Sequence, residues 1–573
     1  MKHGVWNIEC SRKVQFGFLL LIGSLSFFVN IGSLEPSIME ARNFITAREI
    51  IENDTWLLPT MNGEYRLAKP PLPTWITALA GLMAGDIHNK TALRIPAAVM
   101  ALLMIFFVYG LTGILTKDRL IPFLAAGVLS TSFYLMFMAR QGTWDIYCHS
   151  FMVGAIWVLT VGWKKKGTAY VEFTLAGVLL GLSFMSKGPV SFYVLLLPFM
   201  IAYMVAFGTN EIRNKWRELL TTLFICTVIS TWWPIYVYFH IPDDLIQNIN
   251  TEAGSWKIRH VRPFWHYWNF PVQSGIWTIF ITAALIMPYA RGRINQVGGN
   301  YKFLIFWVLL TIIFLSVVPE KKERYLMPGL ISQAVLVGFY LKYLINSFKD
   351  NLQSKSDKFI LVFNTSLLGV ICIGAPLGLY IYGFTRSLIP VHIFIGYTLI
   401  MIFFSTIFII QLRKRQVMKI LLAVFLLMGF LSATLPYFYK RMFFKDLGNK
   451  HLSELSKMES IQNLTFYSIG NIRPEEIWDV RKMVTPLQHQ RQIGSLNKDL
   501  LVLFLAVDKD SINHPTIEGK ISYQHKMIGY FEHPSNRKNI VWMVSIVSPG
   551  LTTIPKSVTP VTEQIAGAYG PVL

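Results

Sequence analysis

The sequence predicts an all-α polytopic membrane domain followed by a small α/β domain. Three observations predict it. Hydrophobic residues make up 53% of the chain and charged residues only 15%, where a soluble domain carries roughly a quarter charged. Apolar runs long enough to cross a bilayer, about 20 residues each, recur from about Val14 to about Phe438, and mean hydropathy is +0.45. After about Arg441 polar residues rise and short β-prone runs replace the long apolar ones.

Taken in order, the apolar runs give about thirteen spans, roughly 14–34, 93–115, 120–138, 146–163, 170–186, 189–207, 218–239, 275–290, 303–318, 328–345, 359–382, 391–411 and 418–438. The first, FGFLLLIGSLSFFVNIGSL, has the length of a signal peptide but no small-residue cleavage site, and is expected to be a retained helix. The stretch Pro70–Gly85 is amphipathic and short, so it is expected to lie along the interface.

The formal net charge of +21 does not indicate nucleic acid, because of where the charge sits. Basic residues punctuate short loops at Arg12/Lys13, Lys117/Arg119, Lys164–Lys166, Arg213/Lys215/Arg217, Arg291/Arg293, Lys349/Lys355/Lys358 and Arg413–Arg415. Placing all of them in the cytoplasm satisfies the positive-inside rule. The N-terminus is then cytoplasmic, while the long loop 35–92 and the C-terminal region lie outside. Membrane lipids are the expected surroundings, with the loop charges drawn to anionic headgroups. Cys10, Cys148, Cys226 and Cys372 lie in or beside apolar runs and show neither a disulfide framework nor zinc spacing.

The C-terminal region contains the strand-like runs LTFYSIG (464–470), LLVLFLA (500–506), KMIGYFEH (526–533) and IVWMVSIV (540–547), with a helical stretch GNKHLSELSKMES (448–460) ahead of them. The expected division is a transmembrane domain at 1–440, an extracytoplasmic α/β domain at 441–550 and a Pro/Thr-rich tail at 551–573.

Charge at a membrane face is expensive and therefore points to function. The first outer loop, with Glu35, Glu40, Arg42, Arg66 and Lys69, is the expected catalytic loop. Ser37-Ile38-Met39-Glu40 fits a capping box. Glu40 therefore either only ties off a helix, or also serves as a base toward an acceptor hydroxyl. Lys69 leads the proline-stiffened stretch Lys69-Pro70-Pro71-Leu72-Pro73, which holds an ammonium fixed. The bland alternative is a solvated lysine before a turn. Asp145 and Lys187 each stand at the outer end of an apolar run, Lys187 in the tight turn Ser186-Lys187-Gly188-Pro189. Snorkelling is the alternative for Lys187, but topology disfavours a lysine on the outer side. Basic and aromatic residues interleave over 252–268, EAGSWKIRHVRPFWHYW, as in an interfacial belt. The turn PEKKERYLMP (319–328) offers Lys321, Lys322, Arg324 and Tyr325 to a phosphate or sugar. His260 is a candidate metal ligand where carboxylates stand nearby.

The motifs MEARNFITAREI, NDTWLLPTMNGEYRLAKPPLPTW, ALRIP, WDIYCHSF, SKGP, RHVRPFWHYW and PEKKERYLMP together resemble those of bacterial membrane glycosyltransferases of the C-type superfamily. The nearest are the 4-amino-4-deoxy-L-arabinose lipid A transferases and the protein O-mannosyltransferase-like enzymes. The resemblance implies C-type glycosyltransferase architecture, location in a bacterial inner membrane and a polyprenyl-phosphate-linked sugar as donor. It implies a lipid or protein acceptor at the outer face. In the family's early Asp-Glu pair the aspartate is the base; the corresponding pair here is Met39-Glu40, which keeps only the glutamate, so Glu40 is the expected base, with Glu35 as the alternative acid and Asp145 orienting the acceptor or the cations. The resemblance assigns Lys69 and Lys187 to the donor phosphate; the loop residues Arg42, Arg66, Arg324 and Tyr325 are expected beside them. Where lipid A transferases carry a metal-binding glutamate before the first lysine, this chain has Ala68; the partner histidine matches His260. The expected reaction is an inverting sugar transfer. The alternative from another class is a transporter or flippase for a lipid-linked sugar, which calls for ionisable residues near mid-bilayer and paired broken helices.

Overall fold

The computed structural model describes residues 11–258, 260–443, 451–488, 501–508, 524–531 and 540–548. Cys10, Arg259, the first residues of the 448–460 stretch and the tail 551–573 lie outside the described residues. The chain divides into two compact units. One comprises Met1–Leu34, Leu67–Ala80 and Asn89–Phe443; the other comprises Glu35–Arg66, Gly81–His88 and Phe444–Leu573. Most of the long loop thus groups with the C-terminal strands, not with the helices that flank it in sequence.

The first unit is helical. Among the described residues seven helices are long and apolar enough to cross a membrane, or up to nine if each of two bent pairs is one span. The bends fall between Leu120–Ser130 and Phe133–Ala139, at 65°, and between Phe264–Leu285 and Met287–Gln296, at 94°. At the first bend Ser130, Thr131 and Ser132 turn their hydroxyls back onto the carbonyls of Gly127 and Val128, a competition with the helix ladder that favours bending. Phe192–Phe207 and Tyr301–Val317 are shorter apolar helices, and the first helix spans only Arg12–Phe27. Each apolar run of the sequence falls on a helix, but continuous hydropathy does not report where a helix breaks.

Met327–Lys349 is the central helix, buried along nearly its whole length. Trp216–His240, Lys355–Leu379 and Val391–Arg413 instead leave many Leu, Ile, Val and Phe exposed, as helices facing lipid do. Two arginines close the end of the first helix region. Arg94 Nη1 donates to the carbonyls of Ile31 (2.8 Å) and Leu34 (2.9 Å), and Arg140 Nη1 donates to Ser26 O at 3.0 Å. These carbonyls lie where a helix end leaves acceptors without intrahelical donors.

The second unit is α/β. Its sheet runs Val484–Leu487, Thr465–Ile469, Leu501–Asp508, Ile540–Ser548, Gln524–Phe531. The first three are parallel and the last two antiparallel additions. Phe466 pairs with both Val484 and Val502, which sets the register of the parallel half. Helix Ile38–Asn53 opens on a capping box made by Ser37 and Glu40 and packs against helix Pro474–Val480, with Phe44 and Trp478 rings 5.3 Å apart. A small hairpin, Thr60–Met61 with Glu64–Tyr65, turns at Asn62-Gly63, both with positive φ, as a tight hairpin turn requires. Buried Glu49 accepts from Thr60 Oγ1 (2.7 Å), Asn62 N (2.6 Å) and Gly63 N (3.2 Å). Asn62 exchanges two hydrogen bonds with Val484, of 2.7 and 2.9 Å, so the hairpin is tied to the edge of the sheet.

Candidate active site

Helices Trp144–Lys164 and Tyr170–Lys187 are joined by a short loop and pack closely. Their antiparallel run brings the start of one against the end of the other. Asp145 lies in the first turn of its helix and Lys187 in the last turn of its own, each the sign that its helix end favours. Gly188, at φ +74°, stops the second helix, and Pro189 prevents its continuation. The two side chains form an ion pair in which Asp145 is 1% and Lys187 9% exposed. Beneath it Ser183 Oγ donates to Cys148 O at 2.7 Å and meets Ser191 Oγ at 2.7 Å. These bonds fix the helix pair to the π-helical turn Phe192–Leu196, an irregularity frequent at functional sites.

The turn ahead of the central helix completes the cluster. The Lys187 ammonium lies 5.0 Å from the centre of the Tyr325 ring, Lys322 Nζ 5.8 Å and the Arg324 guanidinium 5.5 Å. Three cations therefore crowd one aromatic ring. Asp145 answers Lys187 and Glu320 pairs with Lys322. Arg324 is within electrostatic range of Asp145, and its buried Nε has no hydrogen-bond partner among the described residues. Tyr134 lies within electrostatic range of both Asp145 and Arg324. The turn is held from below by Tyr267, whose hydroxyl accepts from Lys322 N and donates to Lys322 O, both at 3.1 Å. Lys321 is not a free cation: its ammonium donates to Arg262 O (3.1 Å) and Val318 O (2.7 Å), and burial lowers its pKa. Three cations against the two carboxylates Asp145 and Glu320 leave a positive charge over, which can hold an anion and stabilise charge developing on it.

The remaining candidates are placed as follows. Lys69 belongs to the membrane unit, in the bend ahead of helix Leu72–Met83. Glu35, Glu40, Arg42 and Arg66 belong to the second unit. Glu40 is 1% exposed, and its Oε2 accepts from Ser37 N (3.1 Å) and Ser37 Oγ (3.4 Å), so it does cap its helix. Glu35 is half-buried. Arg42 stands in the field of Glu475, whose pKa is raised chiefly by burial. His260 is exposed, at φ +47°, with its carbonyl accepting from Lys321 N. Desolvation and then the Lys322 charge lower its pKa. No group of three His, Cys, Asp or Glu side chains able to hold a metal occurs among the described residues. With Ala68 at the glutamate position, the residues do not fit a bound metal, and no step is assigned to one.

Sequence reasoning missed two contributors. Arg94 stood only inside the ALRIP string, and its carbonyl partners are set by tertiary packing. His149, one helical turn from Asp145, is 1% exposed; an i,i+4 spacing from a singled-out carboxylate was the available signal.

Residues 68–235 match the dolichyl-phosphate-mannose-protein mannosyltransferase family. The chain is 26% identical over 439 residues to undecaprenyl phosphate-alpha-4-amino-4-deoxy-L-arabinose arabinosyl transferase 2 of Pseudomonas fluorescens, covering 74% of this chain and 72% of that protein. To the corresponding protein of Proteus mirabilis it is 23% identical over 311 residues, covering 52% and 54%; it thus spans about half the length of that relative. In fold it is similar to the crystal structure of ArnT from Cupriavidus metallidurans bound to undecaprenyl phosphate, with a TM-score of 0.68 at 13% identity, covering 93% of this chain and 97% of that one.

Proposed function

We propose the following reaction for this chain, which is a multi-pass membrane glycosyltransferase resembling the aminoarabinose transferases and protein mannosyltransferases of the C type. It transfers a sugar from a polyprenyl-phosphate-linked donor to a lipid A-like or protein acceptor at the outer face of a bacterial inner membrane. The acceptor hydroxyl attacks the anomeric carbon, forming a new glycosidic bond as the bond from that carbon to the phosphate oxygen breaks. The bonding pair stays on the phosphate, and the hydroxyl proton passes to a carboxylate, Glu40 or its alternative Glu35. A single displacement inverts the anomeric centre.

The observation that carries this reading is the Lys187–Lys322–Arg324 cluster around Tyr325, with Asp145 as its buried counter-charge. Phosphate charge grows as the sugar leaves, and fixed cations stabilise that growth more than they stabilise the bound donor. Lys69, Arg66 and Arg42 are assigned to the same donor phosphate, and Asp145 to orienting the acceptor or those cations. The proposal includes about thirteen spans, a cytoplasmic N-terminus and an extracytoplasmic C-terminal domain. The names of the relatives support the donor class, since they carry undecaprenyl phosphate and aminoarabinose. The test is transfer by purified protein in lipid nanodiscs, supplied with polyprenyl-phosphate-linked sugars and with lipid A or peptide acceptors. Glycosylated product seen by mass spectrometry with wild type and lost with Lys187→Ala supports the reading. Movement of the lipid-linked sugar across liposomes without transfer would replace it with the transport reading.

A further inference from the structure

His149 lies one helical turn beyond Asp145 on the same face of Trp144–Lys164. It is 1% exposed and within electrostatic range of both Asp145 and Lys187. Its Nδ1 is buried with no hydrogen-bond partner among the described residues. Cys148, Ser183 and Ser191 satisfy one another, so none of them is its missing partner. A buried imidazole nitrogen left without a partner is unfavourable, and evolution has an easy alternative in any apolar side chain. The place calls for a partner that arrives in another state of the site.

We propose that His149 is a positioning residue that takes over the Asp145 carboxylate when Lys187 turns to the phosphate. The proposal rests on the reaction given above. In the structure Lys187 is committed to Asp145, and Arg324 is in range of the same carboxylate. A leaving phosphate attracts both cations. Asp145 is then a carboxylate with almost no access to water and a weakened claim on its partners, which is costly. Side chains at i and i+4 have Cβ atoms about 5–6 Å apart, so the imidazole reaches the carboxylate by a rotamer change. A neutral imidazole donates one N–H and brings no positive charge to compete with Lys187 for the phosphate. His149 thereby lowers the barrier to the exchange of partners without touching the donor.

The test compares His149→Leu, which keeps the volume and removes the donor, with His149→Gln, which keeps an N–H. Three quantities are read in nanodiscs: kcat, KM for the lipid-linked sugar, and the rise in melting temperature on adding undecaprenyl phosphate. For His149→Leu, kcat is expected to fall about 10- to 100-fold, the scale of one lost hydrogen bond to a buried charge. KM should stay within about twofold. The melting temperature without lipid should not fall, and its rise with undecaprenyl phosphate should shrink. His149→Gln should recover most of kcat. Wild-type kcat in His149→Leu, equal damage in His149→Gln, or failure of His149→Leu to fold would each overturn the proposal and leave the reaction standing. A wild-type protein that neither transfers sugar nor is stabilised by undecaprenyl phosphate would overturn the reaction, and this inference with it.

Discussion

Lys187 and Asp145 are worth more together than apart. Removing one partner of a buried ion pair leaves the other charge uncompensated, which costs about 3–5 kcal/mol. Asp145→Asn should therefore lower both the melting temperature and transfer, whereas Tyr325→Phe, which keeps the ring beneath the three cations, should leave stability nearly unchanged. Differential scanning fluorimetry beside a transfer assay separates the two. Glu40 has two proposed tasks, and Glu40→Gln divides them. Glutamine serves as well as glutamate at this place in a capping box, so the variant is expected to fold with the wild-type melting temperature and to lose transfer. Full transfer would move the base to Glu35, and Glu35→Gln decides that directly. Asp145 and Lys187 were legible in the sequence because each interrupts or ends an apolar run, where a charge needs a reason. Their pairing with each other was not legible, because it depends on two helices running antiparallel. Lys321 and Lys322 were both legible as candidates in their turn, but not which of them is available: Lys322 stands over the Tyr325 ring, while the Lys321 ammonium is spent on carbonyls.

Helix ends and turns set where these residues stand. Arg94 and Arg140 bond carbonyls between Ser26 and Leu34, so Arg94→Ala should strand buried acceptors at about 1–3 kcal/mol each and lower the melting temperature without changing which donor is used. The hairpin at Asn62-Gly63 gives a sharper local test. Gly63 has φ +84° and an added Cβ would approach Met483 Sδ to 2.6 Å. Gly63→Val meets both the left-handed backbone penalty, about 1–2 kcal/mol, and that contact, and should raise amide exchange in the hairpin and in strand Val484–Leu487. Four of the five sheet strands overlap runs visible as alternating or continuous apolar residues, because those runs carry β-branched and aromatic side chains. Val484–Leu487 was not visible: four residues with a proline inside them read as a turn. The two bent helix pairs were invisible for a related reason. Hydropathy is summed along the chain, while a bend depends on which hydroxyls turn onto which carbonyls.

The molecule as a whole combines a lipid-facing helical unit with a second unit built from both ends of the sequence. Membrane character was plain from composition, and the family resemblance from several short motifs that occur in order. The gathering of residues 35–66 with strands more than 400 positions later was not, since no local pattern encodes a long-range partner. Acid should act on that second unit first. Burial, then the charges of Arg481 and Arg48, push His88 from the ordinary 6.5 down to about 4. Its folded form thus binds fewer protons than its unfolded form between those values. The stability it contributes is fully present above pH 6.5 and is lost as pH falls toward 4, so thermal melts across that window should show a decline that His88→Phe reduces. The most direct measurement of the central claim remains sugar transfer from a polyprenyl-phosphate-linked donor by the purified protein, wild type against Lys187→Ala. Wild type should give inverted product and the variant about 10²- to 10³-fold less, the usual loss when one group stabilising a leaving anion is removed. Equal transfer by the two proteins would contradict that claim.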